Sequence, residues 1–377
     1  MQFRELHSID EVQATQWNAL EGADSPFLRH EFIAALEHTA CVGAQTGWTP
    51  AHLAAFDGDR LLAAAPAYRK QHSWGEFVFD FSWAQAYARH GLAYYPKLLV
   101  AVPFSPINSA RLLVCAQGDA PALRAALIGE LERRCAAQGL SSAHATFISA
   151  EDREAFDQRG WLLRSDVQFH WHNQGYADFE SYLATFRSEK RKQARRERRR
   201  IAEAGITIST LRGPQLDEST LGFVHAVHAR TFHAHGHEPY LNLEFFREIV
   251  RTLGDALVVK LALHGGEPVA AAVFLASPEA LYGRYWGAVG EHHSLHFELC
   301  YHQGIEFCIE QGISRFEPGT QGEHKIARGF EPSHTWSAHY IADARFRDAI
   351  ADFLAREATQ VDAYAEAVAA HVPFHRQ

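Results

Sequence analysis

Residues 315–335 read RFEPGTQGEHKIARGFEPSHT. Glu317, Gln321, Glu323, His324, Lys325, Arg328 and Glu331 stand here among Gly319, Gly322 and Gly329. A segment that only turns a corner needs one or two glycines and some small polar residues. This one sets an acid, an imidazole and two cations in a glycine-bent backbone. A short apolar run precedes it at 312–316 and an alternating run follows at 335–341. A loop that leaves a strand carrying mixed titratable groups is a common place for an active site; the plain alternative is a solvated loop with incidental charges.

The same grammar extends outward. Apolar runs at 256–263 and 267–275 flank His264-Gly265-Gly266 as a hairpin, followed by a strand at 281–288, a helix at 294–311, a strand at 313–316 and a long helix at 344–371. Earlier in the chain, runs at 51–56 and 60–68 flank Asp57-Gly58-Asp59, a strong hairpin signal. A strand at 77–81, a helix at 121–138, a strand at 142–147 and a helix at 151–159 follow it. A helix is expected from Asp10 to about Leu20, and a long strand at 161–171. The repeated order predicts an internal duplication without strong sequence identity. The fold class is α/β (α+β), with domains at 1–170 and 171–377.

Length agrees with two domains: 377 residues exceed the ~250–300 at which one core stops growing. The first residues lack an apolar signal region and no run reaches the ~20 apolar residues of a membrane span. Cys41, Cys115, Cys135, Cys300 and Cys308 form no CxxC pair. The expectation is a cytoplasmic chain with reduced thiols. Net charge is −9, yet residues 187–200 (RSEKRKQARRERRR) hold nine cations and two acids, net +7, leaving −16 on the remainder. Such asymmetry marks a local site for an anionic partner. On a helix at 187–204 these cations point all round the cylinder, so the helix is expected to bury no apolar stripe and to face solvent or phosphate. Lys190, Arg191 and Arg195 are the phosphate-binding candidates; a solvated face paired with acids is the plain alternative.

The layout and its residues resemble the tandem acetyltransferase-like (GNAT) architecture of FemAB-type N-acyltransferases, in particular a bacterial branch linked to peptidoglycan biosynthesis. The resembling text spans nearly the whole chain: Tyr94-Tyr95-Pro96-Lys97 with Pro103-Phe104-Ser105-Pro106, the basic helix, Pro239-Tyr240-Leu241 with Phe245-Phe246, Leu295-His296-Phe297-Glu298 with Cys300-Tyr301, and Gln321-Gly322-Glu323-His324-Lys325 with Arg328-Gly329-Phe330. The resemblance implies two GNAT-like domains, each a mixed, mostly antiparallel sheet flanked by helices, with a cleft between them. It also implies transfer of an acyl or aminoacyl group to an amine, with aminoacyl-tRNA or acyl-CoA as co-substrate and no tightly bound cofactor. The acyl-CoA pyrophosphate loop pattern is not evident after residue 288.

Acyl transfer to an amine needs a base, oxyanion donors and a site that holds both substrates. Glu323 and His324 are the base or acid candidates, with Glu298 as a third catalytic candidate. Lys97, Arg111, Tyr240, His296, Tyr301, Gln321, Lys325 and Arg328 are the substrate-binding candidates. On a regular helix His296 and Glu298 diverge by about 200°, whereas Glu298 and Tyr301 share a face. No GxSxG nucleophile motif is present, which favours direct transfer without an acyl-enzyme. His225, His228, His233, His235 and His237 cluster without a nearby Cys or an HExxH motif, so no native metal is expected. No recognised nucleic-acid module is visible, so sequence-specific readout is not expected. Two other readings remain: a non-catalytic binding protein for a phosphate-bearing precursor or RNA, and an acyl-CoA-dependent acetyltransferase of a small amine.

Overall fold

Glycine settles the two hairpins: Gly58 sits at φ +58°, and Gly265 and Gly266 at +60° and +90°, conformations that close tight turns between strands. The computed structural model describes residues 1–320 and 322–375. In chain order its elements are β1 (Gln2–Leu6), α1 (Ala14–Trp17), β2 (Leu20–Glu21), α2 (His30–His38), β3 (Trp48–Pro50), β4 (His52–Asp57), β5 (Arg60–Ala65), β6 (Ala67–Lys70), α3 (Phe81–Arg89), β7 (Lys97–Val100), β8 (Leu113–Cys115), α4 (Ala120–Ala137), β9 (Ser142–Thr146), α5 (Ala150–Gln158) and β10 (Leu162–His172). They continue with α6 (Phe179–Ala184), α7 (Ser188–Glu203), β11 (Ile206–Arg212), α8 (Glu218–Ala234), α9 (Leu243–Leu253), β12 (Leu257–His264), β13 (Glu267–Ala276), β14 (Ala280–Ala288), α10 (Leu295–Phe297), α11 (Gln303–Gln311), β15 (Arg315–Glu317), β16 (Glu331–Ile341) and α12 (Ala344–Ala369).

Two compact units result. Unit 1 takes residues 1–166 and 334–362, and unit 2 takes 167–333 and the chain from 363 onward. The division therefore differs from a contiguous split at 170/171. Unit 1 has strand order β3-β6-β7-β9-β16 beside a second sheet, β1-β4-β5-β8-β2; unit 2 has β11-β12-β13-β14-β15-β10. The sheet β1-β4-β5-β8-β2 is antiparallel throughout, and each of the other two is antiparallel except for one pair: β7 runs parallel to β9, and β14 parallel to β15. In each unit the parallel pair is closed by a strand from the other half of the sequence. β16 pairs with β9 through Ser337↔Thr146 to Ile341↔Ser142, and β10 pairs with β15 through Trp171↔Phe316.

The unit-1 core gathers Leu127, Ile128 and Leu131 of α4 and Phe156 of α5 with Leu53, Val100, Val114, Ala143 and Ala145 of the strands. Trp83, Tyr87 and Tyr94 form a second cluster with Phe346, Ile350 and Leu354 of α12, the Tyr87 and Phe346 rings stacking 3.9 Å apart. Helix α4 begins with Asp119 capping the Ala122 amide and Pro121 in the first turn.

Three sequence expectations are corrected. Residues 77–81 are not a strand: Phe77 adopts φ +60°, and Asp80 precedes α3. The strand parallel to β9 is instead β7, only four residues long and wholly buried. The expected helix at 10–20 divides into a 3-10 turn, Ile9–Glu11, and the one-turn α1. The expected helix at 294–311 is interrupted by a π turn, Glu298–His302.

Helix α8 lies so close to β14 that a Cβ on Gly287 would sit 2.0 Å from the Val227 carbonyl oxygen, whereas Gly222 of α8 has nothing within 4 Å. Gly287→Ala is expected to lower stability by about 1–3 kcal/mol, and Gly222→Ala to raise it by about 0.5–1 kcal/mol, in urea unfolding. Equal midpoints for Gly287→Ala and the parent protein would show that the helix does not approach the strand this closely.

Candidate active site

The parallel pair of unit 2 opens because its strands have unequal lengths. β14 and β15 pair from Ala280↔Arg315 to Tyr282↔Glu317; β15 then stops while β14 runs on to Ala288. Pro318 lies against Gly283, whose added Cβ would stand 3.2 Å from the Pro318 Cα. The chain then turns through Gly319 (φ +101°) and Gly322 (φ +109°) into a 3-10 helix, Glu323–Arg328, capped by Gly329 (φ +83°). All three glycines of the bend therefore occupy conformations that side chains resist. Gly329 also makes room for the Tyr182 hydroxyl, which donates to the Arg328 carbonyl at 2.7 Å.

Glu197 of α7 anchors this turn. It accepts from Arg328 Nη2 at 2.6 Å and Nε at 3.2 Å, and lies 3.0 Å from His302 Nε2. Arg328 also donates from Nη1 to the His324 carbonyl at 2.7 Å, with its guanidinium 3.5 Å from the centroid of the Phe297 ring. Burial works to raise the Glu197 carboxyl, but the His302 hydrogen bond and the Arg328 charge outweigh it and hold the group below its ordinary range. The next residue, Arg198, reaches Glu298 at 3.2 Å and grips Glu306 at 2.6 and 3.2 Å. Helix α7 thus has a buried stripe, Ala194, Glu197 and Ile201, contrary to the sequence expectation that it has none. Only its outer face is solvated, including Lys192, Arg195, Arg196, Arg199 and Arg200.

Around the turn the π segment sorts the side chains. Tyr301 places its hydroxyl 2.8 Å from His324 Nε2. His296 joins them, its ring 5.4 Å from Tyr301, 6.0 Å from His324 and 5.3 Å from Trp286. Glu298 goes elsewhere: its Oε1 accepts from Arg198 and from Gln303 at 2.8 Å. The expected Glu298–Tyr301 face is therefore not formed, because the wider π turn rotates the two side chains apart.

The charge states follow from burial. The Tyr301 phenol is pushed far up by burial, so it keeps its proton. The His324 imidazole is held below its usual value by burial and by the charges of Lys325 and Arg328. Burial, with His324 next, pushes His296 down to about 4. Burial brings the Lys325 ammonium down to about 7, and its Nζ donates to the Gly319 carbonyl at 2.5 Å. Glu323 is exposed and accepts from Tyr364 at 3.0 Å. A neutral imidazole and a lysine titrating near neutrality thus share one turn.

The other sequence candidates separate. Arg328 uses its donors on Glu197 and the backbone of its own turn, so it supports the bend rather than offering a free fork to a ligand. Lys97 is fully buried in unit 1, donating to Asp80 at 2.5 Å, Glu76 at 2.8 Å and Ser73 at 3.0 Å. Arg111 is also fully buried and donates to the Ile107, Ser109 and Ala110 carbonyls. Burial and internal pairing overturn the substrate-binding reading of both. Tyr240 packs its ring 5.4 Å from that of Phe232. Gln321 lies outside the described residues. Arg195 pairs with Glu180 at 2.6 Å, and Arg191 reaches the Ala184 carbonyl at 3.5 Å. Lys190 lines a groove of about 410 Å³ with Arg187, Glu323, Ile326 and His371. His233 and His235 bind Glu238 and the Thr231 carbonyl. No group of three or more His, Cys, Asp or Glu among the described residues is placed to hold a metal ion.

Sequence reasoning missed Glu197, Arg198 and His302. The available signal was Glu197 itself, an acid set inside a run of arginines.

The FemAB-like family model, described as peptidoglycan biosynthesis/recognition, matches residues 8–376. No sequence among the curated proteins matches significantly. Among solved structures, FemX is 10% identical and superposes with a TM-score of 0.56, covering 93% of this chain and 100% of FemX. The C-terminal domain of a putative lysylphosphatidylglycerol synthetase from Agrobacterium fabrum is 11% identical, TM-score 0.55, covering 93% and 97%. L-PGS from Bacillus licheniformis is 12% identical, TM-score 0.53, covering 85% and 94%. At these identities the likeness is one of fold. The family match extends over nearly the whole sequence, and it makes this chain a member of the FemAB-like family, described as peptidoglycan biosynthesis/recognition.

Proposed function

We propose that the bend of unit 2 is an acyl-transfer site passing an aminoacyl or acyl group directly to an amine. One observation carries the reading: His324, held neutral and hydrogen-bonded to Tyr301, stands beside Lys325 where β14 outruns β15. His324 takes a proton from the acceptor ammonium. The freed nitrogen lone pair attacks the donor carbonyl carbon, and the Lys325 ammonium faces the oxyanion that forms. Collapse re-forms the carbonyl and breaks the bond to the leaving oxygen or sulfur, which takes the proton from His324; the new amide nitrogen then gives its remaining excess proton to the freed imidazole, which releases it to solvent. Tyr301 fixes the imidazole plane. The donor is an aminoacyl-tRNA or an acyl-CoA. The solvated cations of α7, with the groove at Lys190 and Arg187, favour a donor rich in phosphate. The acceptor is an amine of a peptidoglycan precursor or related metabolite.

His324→Ala is expected to lower kcat/KM by about 10²–10⁴-fold with donor Kd changed less than twofold, read by single-turnover transfer and equilibrium binding. The pH profile should rise below pH 6.5 as His324 loses its proton and fall above about pH 7 as Lys325 loses its own. Lys325→Met should abolish the alkaline limb. An unchanged rate in His324→Ala removes this residue from the mechanism.

Lys192→Glu with Arg196→Glu should weaken tRNA binding and flatten the plot of log K against log salt by about 2–4 units, while acyl-CoA affinity changes little. An unaltered slope would show that this face does not contact the polyanion.

Glu197→Ala leaves Arg328 buried without its carboxylate and is expected to cost about 3–5 kcal/mol in urea unfolding at pH 7. Because the folded Glu197 carboxyl lies below its ordinary value of 4.5, its contribution is present above that pH and fades as pH falls through the lower folded value. The gap between parent and variant should narrow below pH 4; a constant gap would contradict an ionic role.

A further inference from the structure

Unit 1 contains a run of hydrogen bonds that the acyl-transfer reading does not use. Its origin is a repeated tripeptide: Ser-Ala-His occurs at 142–144 on β9 and again at 337–339 on β16. The two strands are antiparallel and the register sets His144 directly opposite His339, with Nδ1 2.8 Å from Nδ1. Two ring nitrogens at that distance can share only one proton, so one histidine must donate and the other accept.

The neighbours decide which. Tyr94 donates its hydroxyl proton to Asp80 at 2.6 Å, and the Lys97 charge holds that carboxylate ionised against the effect of burial. Tyr94 therefore has only lone pairs to offer His144 Nε2, 3.2 Å away. Ser141 donates to the Tyr94 carbonyl, so its oxygen accepts from Ser142, leaving Ser142 an acceptor toward His144 Nε2 at 2.8 Å. Both contacts require the proton of His144 on Nε2. Burial, reinforced by Lys97, pushes His144 down to about 3, and burial with His144 beside it drives His339 well below its usual value, so both rings are neutral. His144 Nδ1 then accepts, His339 Nδ1 donates, and His339 Nε2 must take the Ser337 proton across 2.9 Å. Every donor in the series points inward, toward Asp80 and Lys97. Ser337 Oγ is left with lone pairs alone.

Ser337 lines a slot of about 40 Å³ walled by Phe77, Phe79 and Phe147, with Asp166 at its edge. The slot stands where β9 ends, the unit-1 equivalent of the place where the bend leaves β15. Phe77 and Phe147 are held at φ +60° and +54°, a conformation rare for bulky residues and concentrated at ligand sites. Phe79 is 57% exposed. Arg164 also borders the slot, but Glu357 grips its guanidinium at 2.7 Å through both oxygens, and Arg164 donates to the Phe79 carbonyl. Trp336 is covered by the Arg153 guanidinium, 4.8 Å from its ring, and so contributes no free face.

We propose that this slot is a binding site for a primary ammonium group, which donates to Ser337 Oγ while the phenylalanine faces and Asp166 hold its charge. The committed direction of the hydrogen bonds excludes an acceptor such as a carboxylate at Ser337, and aromatic walls favour a cation. The volume admits the ammonium and about one methylene, given that a water fills roughly 10–15 Å³ on this measure. The site is independent of the reaction assigned to unit 2.

Ethylammonium chloride, sodium acetate and tetramethylammonium chloride, titrated into the full-length protein by saturation-transfer NMR, test the assignment. Ethylammonium should bind, acetate should not, and tetramethylammonium should bind at least fivefold more weakly because it has no N–H to donate. Phe79→Ala, an exposed change that leaves the core intact, should weaken ethylammonium at least fivefold, and Ser337→Ala should remove the preference over tetramethylammonium. Long-range ¹⁵N spectra of the free protein should show His144 protonated on Nε2 and His339 on Nδ1. The reverse tautomers, acetate binding as well as ethylammonium, or an affinity unaltered by Phe79→Ala would each overturn the proposal.

Discussion

A single buried carboxylate holds the glycine-rich bend of unit 2, the proposed transfer site, in shape. Glu197 binds the Arg328 fork on one side and His302 on the other, joining α7, the π turn and the 3-10 helix at one point. The bend has little stiffness of its own, since its three glycines all stand at positive φ. Its geometry is imposed by what grips it: Glu197 through Arg328, Tyr182 through the Arg328 carbonyl, and Gly319 through Lys325. Such a buried ion pair adds little net stability over an apolar substitute; what it supplies is a fixed arrangement. Here that arrangement aims His324 at Tyr301, and burial, together with the two cations set beside the imidazole, holds it below its usual value.

The duplicated architecture uses one device twice. In each unit a parallel pair sits inside an otherwise antiparallel sheet, and its partner strand ends early or bends away, leaving backbone and side chains to meet there. In unit 2 the opening holds the titratable bend. In unit 1 it holds the aromatic slot at Phe147, backed by the hydrogen-bonded histidines. The exchange of β10 and β16 matters to both openings, because each brings side chains from a distant part of the sequence. His339 reaches β9 only because β16 returns to unit 1.

Much of this was legible in the sequence. The Asp-Gly and Gly-Gly hairpins, the long α4 and α12, and the reading of 315–335 as a glycine-bent cluster rest on local turn chemistry and periodicity, which report directly on backbone conformation. What escaped depends on long-range pairing. Strand β7 is four residues long, begins with a lysine and follows a proline, so no alternation announces it. The π turn at 298–302 has no periodic signature, and assuming regular helix put Glu298 and Tyr301 on one face. Counting charge along residues 187–200 gave net +7 but concealed that Glu197 faces inward. Lys97 and Arg111 looked like ligand-binding cations because a sequence does not show that Asp80, Glu76 and local carbonyls already surround them. The Ser-Ala-His repeat was visible, but its meaning depends on a register that only the fold supplies.

The most direct test of the catalytic claim is chemical rescue. Single-turnover transfer from an aminoacyl-tRNA or acyl-CoA donor to an amine is measured for His324→Gly with and without added imidazole. The account predicts a large loss of rate and a substantial, saturable recovery with imidazole, its pH dependence following the imidazole base. A variant as fast as the parent protein, or a loss that imidazole leaves untouched while the fold and donor binding are intact, would contradict it.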